Sequence, residues 1–452
     1  MPTEGRMKKL GLMAFKVIQL FVLATWSLWL FPVVWILSRL YHQRPPNMVY
    51  DSQVLRYLRY AWTATPQNPP MDVGTRIWLT LCIVQQFFQS PISGLAWLLD
   101  EVLYGQQLDA KNIDTPFFVI SAGRSGSTQL TRYLEQDPIF VAPNILMCLF
   151  PYLWLWKLVP LTIGKVWTQD AVREFIMKQM PPESLERHEM DPFQADTFDV
   201  AFMGIHLGFL SLYMGPVIGA MEFSMADFAP HNQSLVEKDY IQFIDRIARK
   251  TMLYNGKNTT MQQQQPERRF YLKGHFLLAA PALAQKYPSC TMVTVVRDPL
   301  RRLQSTINFL RVNPADPYLG HVPWTWLTQA LVETEARYCE VEYSFFASAN
   351  NDENDDTNND PTTGVNKCVI RFDDFVQDLE GCMSKVYKEC LGRDDVHHHI
   401  PNRHDHSRNR SNYSVNKSLE ELGVDQDIYR RRVHHYIRWI EEDLKKQHAK
   451  TT

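Results

Sequence analysis

The chain reads as an α/β protein whose parallel sheet is flanked by helices, and three observations predict it. FFVIS (residues 117–121) is an apolar run that enters a Gly/Ser turn and then a helix-prone segment. RFYLKG (269–274) and CTMVTVVRDP (290–299) are short β-rich runs, each followed by a helical pattern. KCVIRFDDF (367–375) repeats that layout once more. Strands alternating with helices predict a parallel sheet.

In chain order, a tail (1–9) precedes a run at 10–38 that contains one charge, Lys16. A bilayer crossing needs about 20 mainly apolar residues, so this segment is expected to be a transmembrane signal anchor. Trp26, Trp29 and Trp35 suit an aromatic belt, while Arg6, Lys8 and Lys9 before the run and Arg39 and Arg44 after it specify orientation only weakly. The rival, a cleaved signal peptide, fits less well because the run is long and no A-x-A site follows. N-x-[ST] acceptors at Asn232, Asn258, Asn409, Asn412 and Asn416 point toward a secretory compartment such as the Golgi, with the rest of the chain lumenal.

A helix-prone stem is expected over 39–115 and a single α/β domain over 116–445, with low-complexity insertions at 255–267 and 346–366. Further apolar stretches at 77–99, 145–167 and 200–221 are broken by polar residues, Gly or Pro, and read as buried or amphipathic helices rather than extra spans. The segment 166–190 is charged and expected to be helical.

A net charge of -2 gives no support for nucleic-acid binding, which calls for a basic field. Seven cysteines are scattered; Cys368, Cys382 and Cys390 are close enough in sequence for a disulfide, with connectivity open. The histidine-rich HHHIPNRHDH (397–406) matches no defined zinc pattern, and no metal is expected.

In sheets of this class, ligands bind beyond the carboxyl ends of the strands. That rule gathers residues 123–128, 273–275 and 297–298 into one site. Gly123, Arg124, Ser125, Gly126, Ser127 and Thr128 form a turn before a helix, where backbone N–H groups and the helix dipole favour an anion. The spacing is too short for G-x-x-x-x-G-K-[ST], and an arginine comes early where a lysine would come late. Arg297 ends a strand as a second anion clamp, and Ser305 follows on the next helix. Two anion sites on neighbouring strands suggest a ligand with two separated phosphate groups.

RSGST after an apolar strand resembles the 5′-phosphosulfate loop of the sulfotransferases, and VVRDPLRRLQSTINF resembles their 3′-phosphate motif, with Arg297 and Ser305 at the family's spacing. YLKGHFLLAAPALAQKYP resembles the Lys-x-His segment that precedes it in many members. The resemblance implies a fold like that of the P-loop kinases and transfer of a sulfuryl group from 3′-phosphoadenosine 5′-phosphosulfate to a hydroxyl of a glycan, lipid or small metabolite. It implies that Arg124 and Lys273 neutralise the leaving phosphate, that His275 is the base, and that Arg408, Arg410 and Tyr413 close over the nucleotide. Membrane-type members often carry a glutamate after the first helix; VAPNILMCLFPY (141–152) has none, so Glu189, Asp191, Asp196 and Asp199 stay open as bases beside His275. Two other classes remain: a kinase of related fold, which lacks its Walker lysine and magnesium-holding acid here, and a non-catalytic membrane scaffold that keeps the nucleotide pocket. Oligomeric state is not legible.

Overall fold

Strand β1 (Phe117–Ile120) stands at the centre of the protein, and all four of its side chains are fully buried. The computed structural model describes residues 2–46, 54–63, 72–178, 191–198, 239–256, 268–311, 324–347, 365–393 and 417–444. Four further strands complete one five-stranded sheet: β2 (Phe140–Val141), β3 (Arg269–Gly274), β4 (Thr291–Val296) and β5 (Asn366–Arg371), in the order β2-β3-β1-β4-β5. Every pairing is parallel, with Val119 beside Lys273 and beside Val293. The expected strands at 117–121, 269–274, 290–299 and 367–375 appear as β1, β3, β4 and β5, although β5 ends at Arg371 and Phe372–Gln377 is helical; β2 is an addition, too short to leave a pattern in sequence.

Successive side chains of a strand point to opposite faces, and β1 feeds two cores accordingly. Phe118 and Ile120 face one core with Ile244, Ile247 and Leu272, whereas Phe117 and Val119 face the other with Leu130, Leu134 and Ile370. Each such side chain contributes about 1.5–3 kcal/mol by leaving water. Burial on both faces explains why β1 and β4 read as continuous apolar runs rather than alternating ones.

The N-terminal region is helical: α1 (Pro2–Leu40), α2 (Val54–Trp62) and α3 (Val73–Asp109). Among the described residues one helix is long and apolar enough to cross a membrane, over Val17–Leu40, with mean hydropathy 2.1 and 11% of its most apolar window buried. It packs along α3 in the same direction, since the Ser27 hydroxyl donates to the Phe88 carbonyl and Val34 lies against Gly94. The apolar stretch 77–99 is thus part of a helix docked on α1.

The far end of α3 is tied into the sheet domain by ion pairs, of which Asp100–Lys250 and Glu101–Arg246 are buried. Asp100 meets Lys250 Nζ at 3.0 Å and accepts from the amides of Leu153 and Trp154 at 2.7 and 2.8 Å. Arg246 pairs with Glu101 and, at 2.7 Å, with Asp109. Within 166–190 the described helix is Gln169–Met177, and residues 179–190 lie outside the described set. The apolar stretch 200–221 lies outside it too. All six described cysteines are free, Cys368, Cys382 and Cys390 among them, so none of the three forms a disulfide here.

Candidate active site

The loop after β1 takes its shape from two residues in the left-handed region. Arg124 has φ 62° and Gly126 has φ 98°, and Ser127 opens helix α4 (Ser127–Leu134). Left-handed backbone costs a non-glycine residue roughly 1–2 kcal/mol, so Arg124 is held there by its surroundings. Such a turn aims backbone N–H groups into one concavity that suits an anion. Gly126 also has no room for a side chain: a Cβ would stand 2.7 Å from the Phe372 ring. No side chain caps α4, which leaves its positive end to the loop. Ser125 is turned inward, its hydroxyl donating to the Ala122 carbonyl at 2.8 Å.

β4 delivers the second motif to the same place. Asp298 caps helix α5 (Pro299–Leu310) by accepting from the Arg301 amide at 2.8 Å, and Pro299 takes the first helical position. Arg297, just before it, donates from NH1 to the Arg124 carbonyl at 2.8 Å, and its guanidinium lies 4.4 Å from the centre of the Phe372 ring. Burial, then the neighbouring Arg301, hold its pKa below the usual arginine value. Its Nε is buried without a hydrogen-bond partner among the described residues. Ser305, two turns along α5, accepts from Arg124 Nε at 3.1 Å, and Phe309 lies 4.9 Å beneath the same guanidinium.

β3 supplies Lys273, and His275 directly follows its last residue. The Lys273 ammonium is buried, donating to Asp196 at 2.6 Å, Thr128 at 2.9 Å and Thr197 at 3.0 Å. Its charge is therefore matched by a carboxylate at the edge of the loop. His275 Nδ1 lies 2.8 Å from the Ser121 carbonyl, which can only accept, so Nδ1 carries a proton. In the neutral ring the lone pair is then on Nε2, which faces Gly123; a Cβ there would be 3.7 Å away.

The three motifs are thus together: Gly123 to Thr128, Lys273 with His275, and Arg297 with Ser305. Arg408, Arg410 and Tyr413 lie outside the described residues, as do Glu189 and Asp199. Asp191 is engaged by Arg173 at 2.9 Å, and Asp196 by Lys273 and, at 3.6 Å, by Arg132. Both carboxylates have structural partners. Sequence reasoning missed Phe372, which closes the loop at Gly126 and stacks on Arg297. It stands at the carboxyl end of β5, so the strand-end rule pointed to it.

The fold is that of the sulfotransferases. No family model matches the chain. It is similar to the omega-hydroxy-beta-dihydromenaquinone-9 sulfotransferase Stf3 of Mycobacterium bovis, 21% identical over 342 residues, which covers 75% of this chain and 78% of the relative. The Stf3 of Mycobacterium tuberculosis matches equally. Two crystal structures share the architecture. Sulfotransferase STF1 of Mycobacterium tuberculosis matches with a TM-score of 0.55 at 15% identity, over 85% of this chain and 92% of that one. STF9 of Mycobacterium avium gives 0.55 at 12% identity, over 90% and 95%.

Proposed function

We propose that the chain is a sulfotransferase that moves a sulfuryl group from 3′-phosphoadenosine 5′-phosphosulfate to a hydroxyl acceptor. The observation that carries this reading is the contact between Arg124 and Ser305, which joins the two anion-binding motifs into one site. The amides of the 123–128 loop with Ser127 and Thr128 hold the 5′-phosphosulfate, and Arg297 with Ser305 holds the 3′-phosphate. The acceptor oxygen bonds to sulfur as the bond from sulfur to the 5′-phosphate oxygen breaks. The acceptor proton passes to His275 Nε2, and the charge left on the phosphate oxygen is met by Arg124 and by the positive end of α4. Lys273 acts from behind, fixing Thr128.

This reading also takes α1 as a membrane anchor. A lumenal domain in a secretory compartment rests on the five N-x-[ST] acceptors, all outside the described residues; an unchanged electrophoretic mobility after endoglycosidase treatment would remove that placement.

The test is turnover by the purified full chain with a radiolabelled sulfate donor and a panel of hydroxyl acceptors, beside Arg124→Ala and His275→Ala. Labelled product that disappears in both variants is expected. Donor binding without turnover on any acceptor would favour the non-catalytic scaffold, and no donor binding would overturn the proposal.

A further inference from the structure

Every residue from 158 to 171 is exposed, yet LVPLTIGKVWTQDA is not the composition of a solvated loop. Leu161 is 65% exposed, Ile163 60% and Val166 80%, and Trp167 packs edge-on against Phe175, itself more than half exposed. Contiguous exposed apolar surface on this scale marks a contact site rather than a surface in water. Lys165 within the segment and Lys178 after it are exposed, the latter paired with Glu174 at 2.7 Å. Lysines with long apolar stems beside a tryptophan suit a boundary between hydrocarbon and water.

Its position says what covers it. The helix Leu153–Leu158 that leads into the segment is fixed to the end of α3: Trp154 Nε1 donates to the Ala96 carbonyl at 3.0 Å, and Lys157 lies over the Tyr104 ring at 3.6 Å. Because α1 packs along α3 in the same direction, with Val34 against Gly94, the last turn of α1 reaches the level of α3 where this helix is attached. The helix from which the exposed apolar segment continues therefore stands level with the end of the 24-residue span, where a helix crossing a bilayer would leave it. The same segment is joined to the candidate active site. Arg173 pairs with Asp191, the Ile145 and Leu146 amides donate to the Gln194 and Pro192 carbonyls, and Asp196 holds Lys273.

We propose that residues 158–167, with Phe175, dock into the surface of the bilayer that α1 crosses, so that the catalytic domain lies against the membrane and its site takes an amphiphilic, membrane-borne hydroxyl. The proposal rests on α1 being an anchor. Burial of an apolar face in the headgroup boundary would give the domain a second contact with the bilayer besides α1, which is itself packed on α3.

The test uses the full chain in phosphatidylcholine vesicles containing nitroxide-labelled phosphatidylcholine. An environment-sensitive fluorophore is placed on one introduced cysteine at a time: Val166→Cys, Leu161→Cys, Leu28→Cys in α1, and Glu420→Cys as an exposed control. The described native cysteines are buried, and wild type carried through the labelling sets the background. Both docking positions are exposed, so neither substitution disturbs packing. The expected result is emission reduced to about half or less by the nitroxide lipid at 166, 161 and 28, with 420 unchanged. Quenching at 28 without quenching at 166 or 161 would overturn the docking surface while leaving the anchor in place, and would point to a protein partner for the patch. No quenching at 28 would remove the anchor and the docking surface together, leaving sulfuryl transfer to stand on the turnover assay.

Discussion

Arg124 Nε donates to the Ser305 hydroxyl at 3.1 Å across a sequence separation of 181 residues. The group proposed to meet the leaving phosphate thus leans on a group proposed to hold the 3′-phosphate. Ser305→Ala removes a support for Arg124 and, on the proposed reading, a ligand contact. A hydrogen bond to a charged group contributes about 1.5–3 kcal/mol, so the nucleotide product should bind roughly tenfold or more weakly, measured by titration calorimetry. Unchanged affinity would separate Ser305 from the site.

Gly126→Ala should destabilise the fold through two independent causes. The left-handed φ of 98° costs an alanine about 1–2 kcal/mol, and the Cβ would overlap Phe372, with overpacking of this kind costing typically about 1–3 kcal/mol more. Adding Phe372→Ala to the variant should recover the second part only. Urea midpoints of the two single variants and the double variant resolve the two contributions.

His275→Ala and Asp196→Asn should fail in opposite ways. Loss of a general base typically costs about 10²–10⁴ in rate, and His275 is only partly buried, so its alanine variant should fold normally and turn over slowly. Asp196→Asn leaves the Lys273 ammonium buried without its carboxylate, a loss of roughly 3–5 kcal/mol. Thermal melts beside kcat distinguish them; a stable, inactive Asp196→Asn would make Asp196 the base instead.

The buried thiols should be inert in the folded protein. Burial pushes Cys290, Cys339 and Cys382 each up to about 12. Cys390 is raised by its hydrogen bond with Cys368 and by burial. A thiol with a pKa near 12 is about one part in ten thousand thiolate at pH 8, and the thiolate is the reactive form. Iodoacetamide at pH 8 should leave these residues unmodified until urea is added, read by mass spectrometry. A bridged pair among Cys368, Cys382 and Cys390 would show as cysteines that stay unmodified even in urea without reductant.

The strands and the three motifs were legible because each signal was local. β1, β3, β4 and β5 are apolar or β-branched runs, and the strand-end rule placed Arg124, His275 and Arg297 together although they are far apart in sequence. What escaped was decided by tertiary contact. Nothing local marks a two-residue strand such as β2, which exists because Phe140 and Val141 meet Arg269 and Phe270. Lys273 looked like a ligand-facing charge, and only the packing of 191–198 shows that Asp196 faces it. The cysteine spacing suggested a disulfide that burial in an apolar core makes unnecessary. The exposure of 158–171 could not be read at all, since the same apolar run suits a core helix equally well.

The sheet order also sets a timetable for synthesis. β1 leaves the ribosome with both of its edges unpaired, because its neighbours β3 and β4 begin only at Arg269 and Thr291. At about 5–20 residues per second the wait is on the order of ten seconds or more. Throughout that interval FFVI is an aggregation hazard with no partner of its own to hide it. An unfinished chain is therefore most exposed to edge pairing with another copy before residue 291 has been made.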